Sequence, residues 1–268
     1  MTAAAQFLRD RVAIVTGGGR GMGRAMTLAL AEAGMCVVAT AARERAEVEA
    51  VAEEARRRGA GGRVVGLVAD VTREDDGAQV VARALAAFGR LDVLVNNAGR
   101  GMKYVSPHFL TEPTRFWETD PAVWRLVIDT NVTGPFLMAR AAVPTMRAAG
   151  WGRVVNISMN RETMRRRGFS PYGPSKAALE SATAIWAQDL AGSGVTVNAL
   201  LPGGATRTGM IPDGVDDAVR AGLLDADVVV PPLLWLLSPA ADALTGRRLV
   251  ATRWRADRPA DALEDAGC

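Results

Sequence analysis

The chain of 268 residues is short of several residue types, and each shortage excludes something. It holds two cysteines, Cys36 and Cys268, too few for a disulfide framework, so a reducing compartment is expected. A single histidine, His108, leaves a metal site without partners, and no metal is expected. No segment approaches the ~18 uncharged apolar residues that a membrane span needs. Charged residues precede any apolar run at the N-terminus, unlike a secretory signal. A cytoplasmic protein without a membrane partner is the resulting expectation. Aromatic residues make up 5%, and tyrosine occurs only at Tyr104 and Tyr172. Lysine occurs only at Lys103 and Lys176, so nearly all of the 32 basic residues are arginine.

What the chain does have is apolar residues, at 49%, and nearly balanced charge, with a formal net charge of +3. That suffices for one large domain with a deep core. The arginines are spread out, with short clusters only at 56–58 and 165–167, whereas nucleic-acid binders concentrate them on one face; no nucleic-acid partner is expected. Short apolar runs alternate with longer amphipathic segments, the pattern of a parallel α/β sheet. Strands are expected over 12–15, 35–40, 64–69, 91–95, 153–157, 195–200 and 247–251. Helices are expected over 23–33, 43–58, 72–88, 121–149 and 171–191. The polar residues 256–268 read as a loose tail.

The first strand runs into Thr16-Gly17-Gly18-Gly19-Arg20-Gly21-Met22-Gly23 and then a helix. Glycines let the backbone approach a pyrophosphate, whose charge the free N–H groups of a helix N-terminus stabilise. Gly17, Arg20, Gly21, Met22 and Gly23 are therefore candidate dinucleotide contacts. The second strand ends Ala39-Thr40-Ala41-Ala42-Arg43, with no acid before Glu44 to bond a ribose 2′-hydroxyl. Arg43 and Arg20 would instead pair with a 2′-phosphate, which favours NADP(H) over NAD(H).

Tyr172 and Lys176 lie four positions apart and share one face of a helix. A free tyrosine has a pKa of ~10. A neighbouring ammonium and a cationic nicotinamide stabilise its phenolate, so Tyr172 can exchange a proton with a carbonyl oxygen. A chain that otherwise uses arginine keeps lysine here, where a tunable ammonium differs from a guanidinium that never deprotonates.

Six ordered motifs carry a resemblance to the short-chain dehydrogenase/reductase family over about residues 8–252: Thr16 to Gly23, Asp70-Val71, Asn96-Asn97-Ala98-Gly99, Asn131, Tyr172-Gly173-Pro174-Ser175-Lys176 and Pro202-Gly203. The resemblance implies a single doubly wound Rossmann-type domain over 1–255, with a seven-stranded parallel sheet and a substrate lid at about 205–224. It also implies that Asp70 and Val71 lie against the adenine and that Asn97, Ala98 and Gly99 support the sheet beside the cofactor. Pro202, Gly203 and Thr206 would lie at the nicotinamide, and Lys176 on its ribose. Tyr172 would be the acid/base, with Asn131 anchoring a proton relay. The implied reaction interconverts a carbonyl and an alcohol on a small molecule, with ketoreduction of a bulky or carrier-bound substrate foremost. The two long helices imply a homodimer or homotetramer.

The family's carbonyl-polarising serine stands thirteen residues before the tyrosine, which here is Met159. Either Ser158 serves, or Asn160 or Thr163 takes the role, or it is lost. This keeps two rivals open, non-redox acid/base chemistry and a non-catalytic dinucleotide-binding protein. Between Gly99 and Asn131, Phe109, Phe116 and Trp117 are candidate pocket aromatics, while Trp124 fits a helix core with Val127 and Ile128. Arg161, Arg165, Arg166 and Arg167 precede Tyr172, as expected for an acidic or phosphate-bearing substrate or for a solvated loop.

Overall fold

Four consecutive apolar residues form the first strand, β1 (Val12–Val15), and all four are buried, as a strand covered on both faces requires. Similar apolar runs give β2 (Cys36–Ala41), β3 (Val64–Val68), β4 (Val93–Asn96), β5 (Gly152–Ile157) and β6 (Val195–Leu201). Two further strands follow, β7 (Arg247–Val250) and β8 (Leu263–Asp265). The computed structural model describes residues 3–212 and 214–266. Its helices are α1 (Ala3–Leu8), α2 (Gly21–Glu32), α3 (Arg45–Arg57), α4 (Glu74–Phe88), α5 (Pro121–Ile128), α6 (Gly134–Ala148), α7 (Arg161–Met164), α8 (Tyr172–Asp189), α9 (Asp217–Ala221) and α10 (Val230–Leu236). None of them is long and apolar enough to cross a membrane.

All eight strands join one sheet in the order β3-β2-β1-β4-β5-β6-β7-β8, parallel throughout except for antiparallel β7 and β8. Met26 and Leu30 of α2 pack with Leu233 and Leu236 of α10 on one face. Val80 and Ala84 of α4, Met138 and Met146 of α6 and Ala187 of α8 cover the other. The chain builds outward from β1 to β3, then returns across β1 to lay down β4. That reversal opens a crevice at the carboxyl ends of β1 and β4, where doubly wound sheets take their ligands.

Two expectations need correction. The sheet has eight strands, not seven, because β8 forms within the segment that reads as a loose tail. Glu264 stands opposite Arg248 and Asp265 opposite Arg247, so opposite charges face each other across the added ladder. Residues 267 and 268, and with them Cys268, lie outside the described residues; Cys36 is a free thiol. The helix expected over 121–149 is interrupted by a π-turn, Asp129–Thr133, which separates α5 from α6 and carries Asn131 at its centre. Such one-turn widenings recur at functional sites.

A buried ion pair ties α8 to the far half of the sheet. Glu180 and Arg248 are only 1% and 2% exposed, and the guanidinium lies 3.1 Å from Oε1 of Glu180. Arg248 also donates to the Met159 carbonyl at 2.8 Å and to Glu264 on β8. Deleting one partner of such a pair strands a charge without water, which typically costs about 3–5 kcal/mol. Arg248→Met should therefore lower the unfolding free energy by about 3 kcal/mol or more in guanidinium titrations. Adding Glu180→Gln to the same chain should recover part of that loss, because no lone charge remains.

Candidate active site

At the mouth of β1 the glycine loop adopts a shape that side chains would prevent. Gly17 and Gly21 have φ of +62° and +51°, and a Cβ on Gly23 would fall 2.0 Å from the Gly17 carbonyl oxygen. Thr16 fixes this loop to β4: its hydroxyl oxygen accepts from the backbone N–H of Asn97 and of Ala98, each at 3.0 Å. Asn97 returns the contact, its side-chain amide donating to the Thr16 and Gly17 carbonyls at 2.8 and 3.1 Å. Thr16 is thus a positioning residue that the motif alone does not reveal, although its place as the last residue before the first glycine is the available signal.

A continuous cleft of about 400 Å³ begins at this loop and is walled by Gly17, Arg20, Gly21, Met22, Gly23, Arg43, Asp70, Val71, Asn97, Ala98 and Gly99. The Asp70 carboxylate is held by the backbone N–H and hydroxyl of Thr72 at 3.0 and 2.8 Å. Arg20 pairs with Glu47, also in the wall, at 3.3 Å, whereas Arg43 has no ion-pair partner among the described residues. The glycine cradle and the open amides of the α2 N-terminus fit the pyrophosphate of a nicotinamide dinucleotide. Among the described residues no group of His, Cys, Asp or Glu is arranged to hold a metal.

The other end of the cleft is walled by Ser158, Met159, Asn160, Thr163, Tyr172, Lys176, Pro202 and Thr206. Tyr172 opens α8, and Lys176 lies one turn on. The ammonium is buried, donates to the Ile157 carbonyl at 2.7 Å and lies 6.0 Å from the centre of the Tyr172 ring. Burial pushes the Lys176 pKa down to about 8, opposed by the attraction of Glu180, and burial pushes Tyr172 up to about 12. Asn131 is fully committed through its side chain: it accepts from Arg100 N–H at 2.8 Å and donates to the Arg100 carbonyl and the Ser175 hydroxyl at 2.9 Å each. Ser175 in turn donates to the Tyr172 carbonyl at 2.7 Å, so the π-turn is bolted to the first turn of α8.

Ser158 occupies the wall but gives its one hydroxyl hydrogen to Glu180 at 2.6 Å. Met159, in the family's serine position, presents a thioether with no hydrogen to donate. Asn160 donates one amide hydrogen to the Gly203 carbonyl at 2.9 Å and has a second available. Gly203 itself lies behind the cleft wall, with φ of +96° and packed so that a Cβ would meet Thr252 at 1.9 Å. Glu180 and Arg248 escape a reading of the sequence, because two charged residues in a helix and a strand look like solvated faces.

Residues 11–217 match the short chain dehydrogenase family. The chain belongs to that family. An uncharacterized oxidoreductase of Mycobacterium tuberculosis is 36% identical over 252 residues, covering 90% of each chain. A cis-4-hydroxycyclohexanecarboxylate dehydrogenase of Sinomonas cyclohexanicum is 40% identical over 195 residues, covering 72% of this chain and 73% of that one. The crystal structure of a 3-ketoacyl-(acyl-carrier-protein) reductase from Brucella melitensis, complexed with NADH, superposes with a TM-score of 0.79 at 29% identity, covering 91% of this chain and 97% of that one.

In this short-chain dehydrogenase an apolar cluster packs around the Tyr172 end of the cleft, beside its polar side chains. Met102, Phe109, Met159, Met164 and Phe169 form one buried cluster against Tyr172. The residues expected as pocket aromatics thus divide: Phe109 enters the cleft, while Phe116 and Trp117 stay outside it, 67% and 68% exposed. Trp124, expected in a helix core, is 39% exposed on α5, because Val127 of that helix takes the buried position. Within 205–224, Thr206 pairs with Leu224 by a β-bridge, and Thr208, Gly209, Met210 and Ile211 lie over the cleft.

The buried ammonium has a measurable consequence. Folded Lys176 loses its proton near pH 8 and unfolded lysine near 10.5, so between these values the unfolded chain binds more protons. The cofactor-free protein should therefore gain stability from Lys176 as pH rises through that window, by up to about 3 kcal/mol, with Tyr172 acting oppositely only above its ordinary value. Unfolding titrations on wild type and Lys176→Met check this: the difference in stability between them should change across the window and be flat below it.

Proposed function

We propose that the protein is an NADP(H)-dependent carbonyl reductase or alcohol dehydrogenase acting on a bulky small molecule. The observation that carries this reading is the shared cleft: the glycine cradle at one end and Tyr172 with buried Lys176 at the other wall a single cavity. Gly17, Arg20, Gly21, Met22 and Gly23 would hold the pyrophosphate, Asp70 and Val71 the adenosine, and Pro202 and Thr206 the nicotinamide end. Gly203 would act from behind, by setting the turn that presents them. When bound, the dinucleotide supplies or accepts the hydride.

Tyr172 gives the proton to the carbonyl oxygen in reduction and removes it in oxidation. A phenol pushed up to about 12 by burial is too weak an acid on its own, so the change must come from positive charge. Lys176 supplies part of it and also faces the nicotinamide ribose. Asn131, its side chain spent on Arg100 and Ser175, anchors the π-turn beside the relay. For carbonyl polarisation we infer Asn160 rather than Ser158, because the Ser158 hydrogen is committed to Glu180 while the Asn160 amide retains a free N–H.

The buried cluster of Met102, Phe109, Met159, Met164 and Phe169 supports a bulky apolar substrate. Phe136 on α6 and Ile185 on α8, each about half exposed, support self-association through the long helices. One observation favours a second reading, acid/base chemistry without net redox change: Met159 stands in the family's serine position, and the neighbouring Ser158 gives its hydrogen to Glu180. Product formation matched mole for mole by NADPH loss decides for the reductase.

The cofactor assignment predicts tighter binding of NADPH than NADH, with Arg43→Gln losing about tenfold in NADPH affinity and little in NADH affinity, as loss of one charge-assisted contact to a phosphate does. Equal affinities would overturn it. On the chemical side, Tyr172→Phe should abolish turnover and Asn160→Ala should cut it by ~100-fold, the usual loss for one oxyanion donor. Ser158→Ala should cost less than about tenfold by the same measure. If the last two values come out reversed, Ser158 turns from Glu180 to the substrate.

A further inference from the structure

Beside the catalytic cleft lies a second cavity of similar size, about 400 Å³, between the 113–117 segment and the 164–170 loop, with Pro174 of α8. Its floor is tight: the Thr114 hydroxyl donates to the Gly168 carbonyl at 2.7 Å, and a Cβ on Gly168 would meet the Thr114 backbone at 2.8 Å. Its walls combine two features that water does not favour side by side. Phe116 and Trp117 stack edge to face at 5.1 Å between ring centres, with about two thirds of each exposed. Arg115 precedes them on the same segment, the other loop supplies Arg165, Arg166 and Arg167, and there is no carboxylate in the lining. Arg115 is paired with Glu118 at 3.1 Å, while Arg165, Arg166 and Arg167 have no ion-pair partner among the described residues. Three like charges in sequence, beside an exposed aromatic pair, suit a ligand with an apolar body and an anionic head.

The groove is continuous with the cleft. Arg166 and Phe169 line both, the guanidinium standing 5.2 Å over the Phe169 ring, and Phe169 stacks on Phe109 inside the cleft at 5.9 Å. We propose that this groove binds the anionic end, a carboxylate or a phosphate monoester, of an extended apolar substrate whose other end lies at Tyr172. The substrate clause rests on the reductase reading above; the binding site does not.

The test is fluorescence titration of the full chain with dodecyl phosphate and dodecanoate below micelle formation, against 1-dodecanol and inorganic phosphate. The amphiphilic anions should bind at least about tenfold more tightly than the alcohol, consistent with charge-assisted contacts. Arg165→Gln/Arg167→Gln should remove that advantage without changing the thermal midpoint, and raised salt should weaken the anions but not the alcohol. The tighter anion names the head group. Of the six tryptophans, Trp117 should carry the signal, so Trp117→Phe should lose it. Equal binding of the alcohol, undiminished binding by the double variant, or an unchanged signal in Trp117→Phe would each overturn the groove. An NADPH titration on wild type separates the two claims: anion binding without cofactor binding sinks the reductase and leaves the groove, and the reverse sinks the groove alone.

Discussion

A carboxylate that water cannot reach must be neutralised by its neighbours, and around Glu180 that requirement organises the chemical half of the molecule. Arg248 answers it from β7, the Ser158 hydroxyl from the end of β5, and Lys176 from one turn back along α8. Each answer has a further effect. Arg248 has donors left over, which fix the Met159 carbonyl and draw in Glu264, so β8 is held to the sheet. Ser158 gives its one hydroxyl hydrogen to this carboxylate and has none left for the cleft it lines. Lys176 keeps more of its charge than burial alone would leave it. A single buried charge thus links the last strand to the wall of the cleft, and low local dielectric makes each link strong.

Much of the fold is legible in the residues alone. The strands β1, β2 and β4 stand out because strands covered on both faces are nearly pure apolar runs, and the glycine loop because only glycine fits its positive φ and close packing. Tyr172 and Lys176 are conspicuous through scarcity in an arginine-rich chain. Long-range pairing of charge is not legible. Glu180, Arg248 and Glu264 are distant in sequence, and each alone has the composition of a solvated surface. The eighth strand is hidden for the same reason: its three residues are polar enough for a tail and find their register only through the arginines opposite. The break in the helix over 121–149 is hidden too, because a π-turn keeps the apolar spacing while shifting the phase.

The aromatic residues show a different limit. Phe109, Phe116 and Trp117 look alike in sequence, yet one lines the cleft and two pair beside a row of arginines, while Trp124, spaced for a helix core, is left partly exposed on α5. Hydrophobicity sets the pressure to be covered but not the place. The place is set by particular hydrogen bonds such as that from the Thr114 hydroxyl to the Gly168 carbonyl, which brings the 113–117 segment against the loop before Tyr172. Two loops, with Thr114 and Gly168 54 residues apart in sequence, thereby share one wall, and the chemistry of that wall belongs to neither alone.

The shape of β8 has a consequence for how copies of this chain can meet. An uncovered parallel strand at the margin of a sheet is a template onto which any extended peptide can zip, the route by which crowded proteins clump. Here β7 is overlaid by a strand of only three residues, laid in the opposite direction and ending in the carboxylates of Glu264 and Asp265. A newcomer would find too short a run of free amides, flanked by carboxylates already engaged by Arg247 and Arg248. That margin leaves little room for strand-by-strand growth.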